Sequence, residues 1–269
     1  MERLLVLLCL VLLSAAARAE CPPTVVDAVL AQLQLPLHFD QNHNLVDGMV
    51  RCQLLAADPT RSVLALSLRH PTDDGHNDHY DIYSLDLVML RSADGKLLAR
   101  YTKPDQFFSD AVALQDIKLD MGAYNLTSDI RAFGVRANFS ISGLSVDNYQ
   151  SLTLFVEQGG SISEVLSHMV TAKIHYDGGY GTRCTAFDEN TSSSHLYAGQ
   201  LLEVVRQVSM APQKTNGYAD LQISETDKTI TTRNLDGTCT TADDLPTKTS
   251  LTLQYDGKRY VVPTALQPN

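Results

Sequence analysis

Apolar and polar residues change rhythm twice along this chain. Leu4 to Leu13 is an unbroken apolar run. Pro22 and Pro23 then lead into Thr24 to Gln34, where Val25, Val26, Ala28, Val29 and Leu33 form a helical stripe with proline at its permitted start. One short helix is predicted there. Beyond it the period falls to two. Ser62 to Arg69 sets Val63, Ala65 and Ser67 against Leu64, Leu66 and Leu68. Tyr80 to Arg91 reads as a longer strand, and Ser92-Ala93-Asp94-Gly95 turns the chain into Lys96 to Thr102.

Strands are expected again at Asp116 to Met121, Arg131 to Ile141 and Ser151 to Glu157, with Gly159-Gly160 reversing the chain into Ser161 to Tyr176. Ile162, Val165, Leu166 and Met169 in that last stretch also fit one helix face; its β-rich neighbours favour strand. A second block follows with strands at Leu196 to Val208, Tyr218 to Ser224, Thr229 to Arg233, Ser250 to Tyr255 and Tyr260 to Val262. The fold class expected is all-β, an antiparallel meander or sandwich in two β units with one short N-terminal helix. The glycine-rich stretch 177–181 is the expected boundary, giving domains at 20–176 and 177–269.

The first apolar run changes the picture by setting an address. Arg3 gives a basic start, and Ala17-Arg18-Ala19 fits the small-residue cleavage pattern, so residues 1–19 read as a signal peptide cut before Glu20. The run is far shorter than the roughly 20 residues that cross a bilayer. Glu20 beside Cys21 argues against a lipid-anchored cysteine. The expected location is periplasmic or secreted, with no transmembrane segment.

Removal of Cys9 with the signal leaves Cys21, Cys52, Cys184 and Cys239. An even number in an exported chain points to disulfides, and three pairings exist. The four fall into two sequence clusters, so Cys21–Cys52 and Cys184–Cys239 are expected. A thiolate zinc site is not, because no closely spaced cysteine pair occurs.

Among 269 residues there are 31 acidic and 21 basic ones, a formal charge of -10. That balance, without a basic run, argues against a partner held through its phosphate backbone, so no nucleic acid is expected. The densest polar cluster runs from His70 to Asp81. Asp73, Asn77 and Asp81 stand four apart, as oxygen ligands do in some calcium loops, although Gly75 and Asp78 depart from that pattern. His76, His79 and Asp81 could alternatively serve zinc, but their spacing does not by itself fix a tetrahedron. The plain alternative is a solvated acidic loop. No nucleophile elbow, H-E-x-x-H or phosphate loop appears. No catalytic residue is therefore assigned.

Asn77-Asp78-His79-Tyr80-Asp81-Ile82 is weakly echoed by Asn216-Gly217-Tyr218-Ala219-Asp220-Leu221, and Asp94-Gly95-Lys96 by Asp256-Gly257-Lys258. From Asn216 to Val262 the chain resembles the β-hairpin units of FG-GAP-like repeats in exported bacterial proteins of unknown function. The repeat's D-x-D-x-D-G calcium core is missing around Asp220, so the resemblance implies hairpins there and no ligand. Asp-Gly and Asn-Gly are also simply what hairpin turns prefer. The sequence thus leads to an exported non-catalytic envelope protein that binds a protein or cell-wall partner. The alternative is a calcium or zinc module, or a metal-dependent hydrolase, centred on His70 to Asp81.

Overall fold

A computed structural model describes residues 20–35, 37, 39–40, 45–71, 80–110, 112–141, 147–184, 196–235 and 238–268. These residues form an antiparallel all-β architecture with one α-helix and two sheets, of four and eight strands. The chain divides into two compact units. One is Met1–Phe108 with Ile117–Gly122 and Val156–Ser163; the other is Ser109–Asp116 with Ala123–Phe155 and Glu164–Asn269.

In the first unit, β1 (Gly48–Leu55), β2 (Asp58–Pro71), β3 (Asp81–Arg91) and β4 (Leu97–Ser109) lie in the order β1-β2-β3-β4. Helix α1 (Pro23–Leu33) begins with proline, which needs no intrahelical donor, and ends where Gln34 turns left-handed at φ 52°. Its buried face, Val25, Val29, Leu30 and Leu33, packs on Leu64 and Leu66 of β2 and Val88 and Leu90 of β3. Each of those strand side chains is fully buried, which stabilises the fold by about 1.5–3 kcal/mol apiece. The other face of β2 is buried too, through Val63, Ala65 and Ser67. A disulfide joins Cys21, just before the helix, to Cys52 on β1, with Cα atoms 5.4 Å apart.

The β3–β4 turn brings the sheet up against the helix. Gly95 has φ +69°, and a Cβ there would stand 3.2 Å from the Val25 carbonyl oxygen. Glycine is needed for the backbone and for the approach alike.

The larger sheet holds β5 (Val112–Asn125), β6 (Arg131–Ile141), β7 (Asp147–Gln158), β8 (Ser161–Cys184), β9 (Leu196–Thr215), β10 (Tyr218–Leu235) and β11 (Thr238–Asp243), paired in sequence order. β12 (Thr247–Leu253) also pairs with β10, along Leu221–Asp227, while β11 takes Ile230–Leu235.

The stretch from Ser161 is strand, as expected, and His168 within it has φ 44°. Other expectations change here. The two strands expected at 218–224 and 229–233 are one, because Glu225 to Lys228 keep their pairing with Arg206 to Glu203. The expected boundary at 177–181 lies inside β8, where Asp177 and Gly178 pair with Gln200 and Gly199; glycine permits a turn but does not impose one. The 20–176 and 177–269 division therefore gives way to the two units above. Tyr260 to Val262 contributes a single bridge, Tyr255 to Tyr260, rather than a strand. β1 and β11 were not foreseen, since Arg51 and Gln53 interrupt one pattern and threonines fill the other.

Candidate functional site

Of the expected metal ligands, Asp73, His76, Asn77 and His79 lie outside the described residues. Asp81 opens β3, and its Oδ1 is 3.5 Å from Nε of Arg69. Among the described residues no group of three or more His, Cys, Asp or Glu could hold a metal ion. Cys184 and Cys239 sit on β8 and β11, with β9 and β10 between those strands in the sheet. Their side chains, and hence the second expected bridge, lie outside the described residues.

The tyrosine-flanked turns have a structural job. Asn216 and Gly217 adopt φ of 49° and 91°, as a two-residue hairpin requires. Asn216 donates from Nδ2 to the Tyr255 carbonyl at 2.7 Å, and the Tyr218 and Tyr255 rings lie 4.4 Å apart. Tyr260 donates its hydroxyl to the Ala219 carbonyl at 2.5 Å. Burial, reinforced by Asp220, lifts the Tyr260 phenol well above its ordinary range, so it stays a donor. The motif at 216–221 thus clamps two hairpins together.

Two buried polar clusters stand out among the described residues. In the first unit Asp86, only 3% exposed, accepts at Oδ1 from Arg100 Nε at 2.8 Å, Arg100 Nη2 at 2.6 Å and Thr102 Oγ1 at 2.6 Å. Three donors converge on that one oxygen. It is a latch between β3 and β4.

The second unit carries a polar row that crosses six strands. It starts at β6, where Gln150 Nε2 on β7 donates to Asn138 Oδ1 at 2.8 Å. Arg136 Nη1 donates to Gln150 Oε1 at 2.7 Å and to Thr171 Oγ1 on β8 at 3.0 Å. On β9, Arg206 donates from Nε to Glu225 Oε2 of β10 at 2.5 Å and from Nη1 to the Val170 carbonyl at 3.0 Å. Thr249 of β12 completes the row with a 3.1 Å bond to Glu225 Oε1. A row so fully bonded avoids the roughly 1–3 kcal/mol lost for each buried polar group left alone.

A pocket of about 170 Å³ opens beside this row. Lys173, Arg206, Tyr149 and Gln267 are its polar lining, and Val112, Ile141 and Val170 are apolar lining. Lys173 is two residues beyond Thr171, hence on the same strand face, and pairs with Val204. It is partly buried and makes no ion pair among the described residues. Asp227 pairs with Val204 from the other side. Burial pushes its carboxyl pKa up, Glu225 adds to that and Arg206 opposes it; its Oδ1 is buried without a partner. Tyr149 stacks on Phe139 at 4.6 Å, and burial together with Asp110 moves its phenol to about 12. It remains a protonated donor at neutral pH.

Chemically the pocket offers one ammonium without an ion pair among the described residues, further guanidinium N–H groups, a phenol and an apolar wall. No nucleophile is poised on a base among these residues. Sequence reasoning passed over Lys173 and Arg206. The usable signal was Thr171, Lys173 and His175 at alternate positions of β8, with Ala172, Ile174 and Tyr176 between them. Searches against protein-family models, curated proteins and solved structures find no match to this chain.

Proposed function

We propose that the chain is an exported, non-catalytic envelope protein that binds a protein or cell-wall partner, in the periplasm or outside the cell. The observation that carries this reading is the open pocket beside the polar row, where Lys173 makes no ion pair among the described residues while Arg206 is held by Glu225. Export is supported by the Cys21–Cys52 bridge, which persists in oxidising compartments, and by the signal-like first 19 residues. Among the described residues no helix is long and apolar enough to cross a membrane.

The test is affinity capture from an envelope extract with the purified mature protein, repeated with the Lys173→Met variant. Capture of a defined component, weakened by the substitution, is the expected result. Equal capture by both proteins would remove the pocket from the reading. The metal alternative is checked by thermal unfolding with calcium, zinc or chelator, since a ligand at a hundred times its dissociation constant adds about 2.7 kcal/mol. The Arg69 guanidinium beside Asp81 weighs against a cation there.

A further inference from the structure

We infer that the pocket beside the polar row is a carboxylate-binding site, taking a small acid whose carboxylate lies between Lys173 and Arg206 and whose short branched apolar body rests on Val112, Ile141 and Val170. This rests on the binding-module reading and names the chemistry of its ligand.

The head group follows from the donors. Val204 faces Lys173 across the β8–β9 ladder, and Arg206 stands two residues further along β9. The two cations are therefore diagonal neighbours on one sheet face, about 7–8 Å apart at the backbone, which leaves room for an anion between long side chains. A guanidinium has five N–H donors. Arg206 uses Nε on Glu225 and Nη1 on Val170, and both groups hold it in place with its remaining donors uncommitted to those partners. Lys173 has no counter-ion among the described residues.

Acidic neighbours limit the strength. Glu225 already pairs with Arg206, Asp227 lies one strand beyond Val204, and Asp110 reaches Tyr149. Affinity in the millimolar range is expected for a minimal acid. Size sets the body: a closed apolar cavity of about 150 Å³ takes a benzene ring, and this pocket of about 170 Å³ has an apolar wall to match. A bare phosphate would leave that wall wet.

Two sources present this chemistry, a free branched acid and the last residue of a peptide chain. Amide spectra of the labelled mature protein are recorded during titration with isovalerate, N-acetylvaline, its neutral amide N-acetylvalinamide, and inorganic phosphate. Both acids should move the amides around Val170, Lys173 and Arg206, while the neutral amide and phosphate leave them in place. Tighter binding of N-acetylvaline assigns the site to chain ends; tighter binding of isovalerate assigns it to free acids. Lys173→Met should weaken both acids at least tenfold and Lys173→Arg should restore them, with the thermal midpoints of all three proteins alike. Phosphate matching the acids, no response to either acid at tens of millimolar, or unchanged affinity in Lys173→Met would overturn the inference. Should the acids fail while an envelope component is still captured, the ligand assignment falls and the module reading stands. Should the acids bind while nothing is captured, the reverse holds.

Discussion

The four-stranded sheet and the larger sheet both bury polar side chains, but in opposite styles. In the first, Leu85, Leu87, Val88, Met89 and Leu90 of β3 are all 0–1% exposed, and the one charge buried among them is Asp86, saturated by Arg100 and Thr102. In the second, hydrogen-bonded polar residues run from strand to strand, and beside them stand two charges, Lys173 and Asp227, that no ion pair among the described residues engages. An isolated buried ion pair fixes a strand pairing and has nothing left over. A polar row that ends in unspent charge next to an opening is where a ligand can be held.

Apolar removal should hurt most in the first unit. Leu66→Ala empties a fully buried position between α1 and the sheet, and a loss of about 2–5 kcal/mol is expected in urea unfolding. Next comes the covalent tie: Cys21→Ser with Cys52→Ser opens a loop of 31 residues' separation, worth about 3–4 kcal/mol in the chain-entropy account. Should reduction leave stability unaltered, the bridge would be an ornament of the helix rather than its anchor.

The polar row should respond differently. Glu225→Ala strands Arg206, whose side chain is only 10% exposed, and should cost roughly 2–3 kcal/mol. Replacing both partners, Arg206→Met with Glu225→Leu, should recover most of that loss, because neither leaves an unpaired charge. A double variant as unstable as the single one would mean that the row itself, not the stranded charge, carries the stability. The same double variant should lose acid binding while Glu225→Ala retains part of it, which separates the two roles of Arg206.

The contrast also explains what was legible beforehand. Alternation in β2, β3 and β6 is carried by large aliphatic and aromatic residues, so those strands announce themselves. The Pro22-Pro23 start and the stripe of α1 do the same for the helix, and sequence clustering pointed to the Cys21–Cys52 pair. The pocket was not legible. Its residues come from β5, β6, β7, β8, β9 and the segment after β12, so no spacing in one stretch of sequence links Val112, Tyr149, Lys173, Arg206 and Gln267. Register decides which of them meet, and register depends on bulges such as the break between Ala219 and Leu221 that composition does not reveal. Conversely the conspicuous cluster at His70 to Asp81 drew attention through its density and its four-residue spacing, and of its expected ligands Asp81 is engaged by Arg69.

The finest test sets one carboxyl from each region against the other. Asp94, in the β3–β4 turn, is held at about 2 by the Arg91 side chain and then by the Lys96 N–H. A depressed folded value means that its stabilisation is present above the ordinary 3.8 and fades as pH falls through about 2. Asp227 is shifted the other way, chiefly by burial and then by Glu225. Its protonated form suits the fold, so that contribution is complete below 3.8 and is lost as pH climbs through the raised value. Asp94→Asn should therefore lower the thermal midpoint slightly at pH 7 and leave it unchanged near pH 1.5. Asp227→Asn should raise the midpoint at pH 7 and leave it unchanged near pH 3. Midpoints of the three proteins between pH 1.5 and 7 decide the matter. If Asp227→Asn were no more stable at neutral pH, a cation or bound water must already satisfy that carboxylate. The larger sheet would then hold no unspent acid beside its pocket, and its difference from the four-stranded sheet would reduce to Lys173 alone.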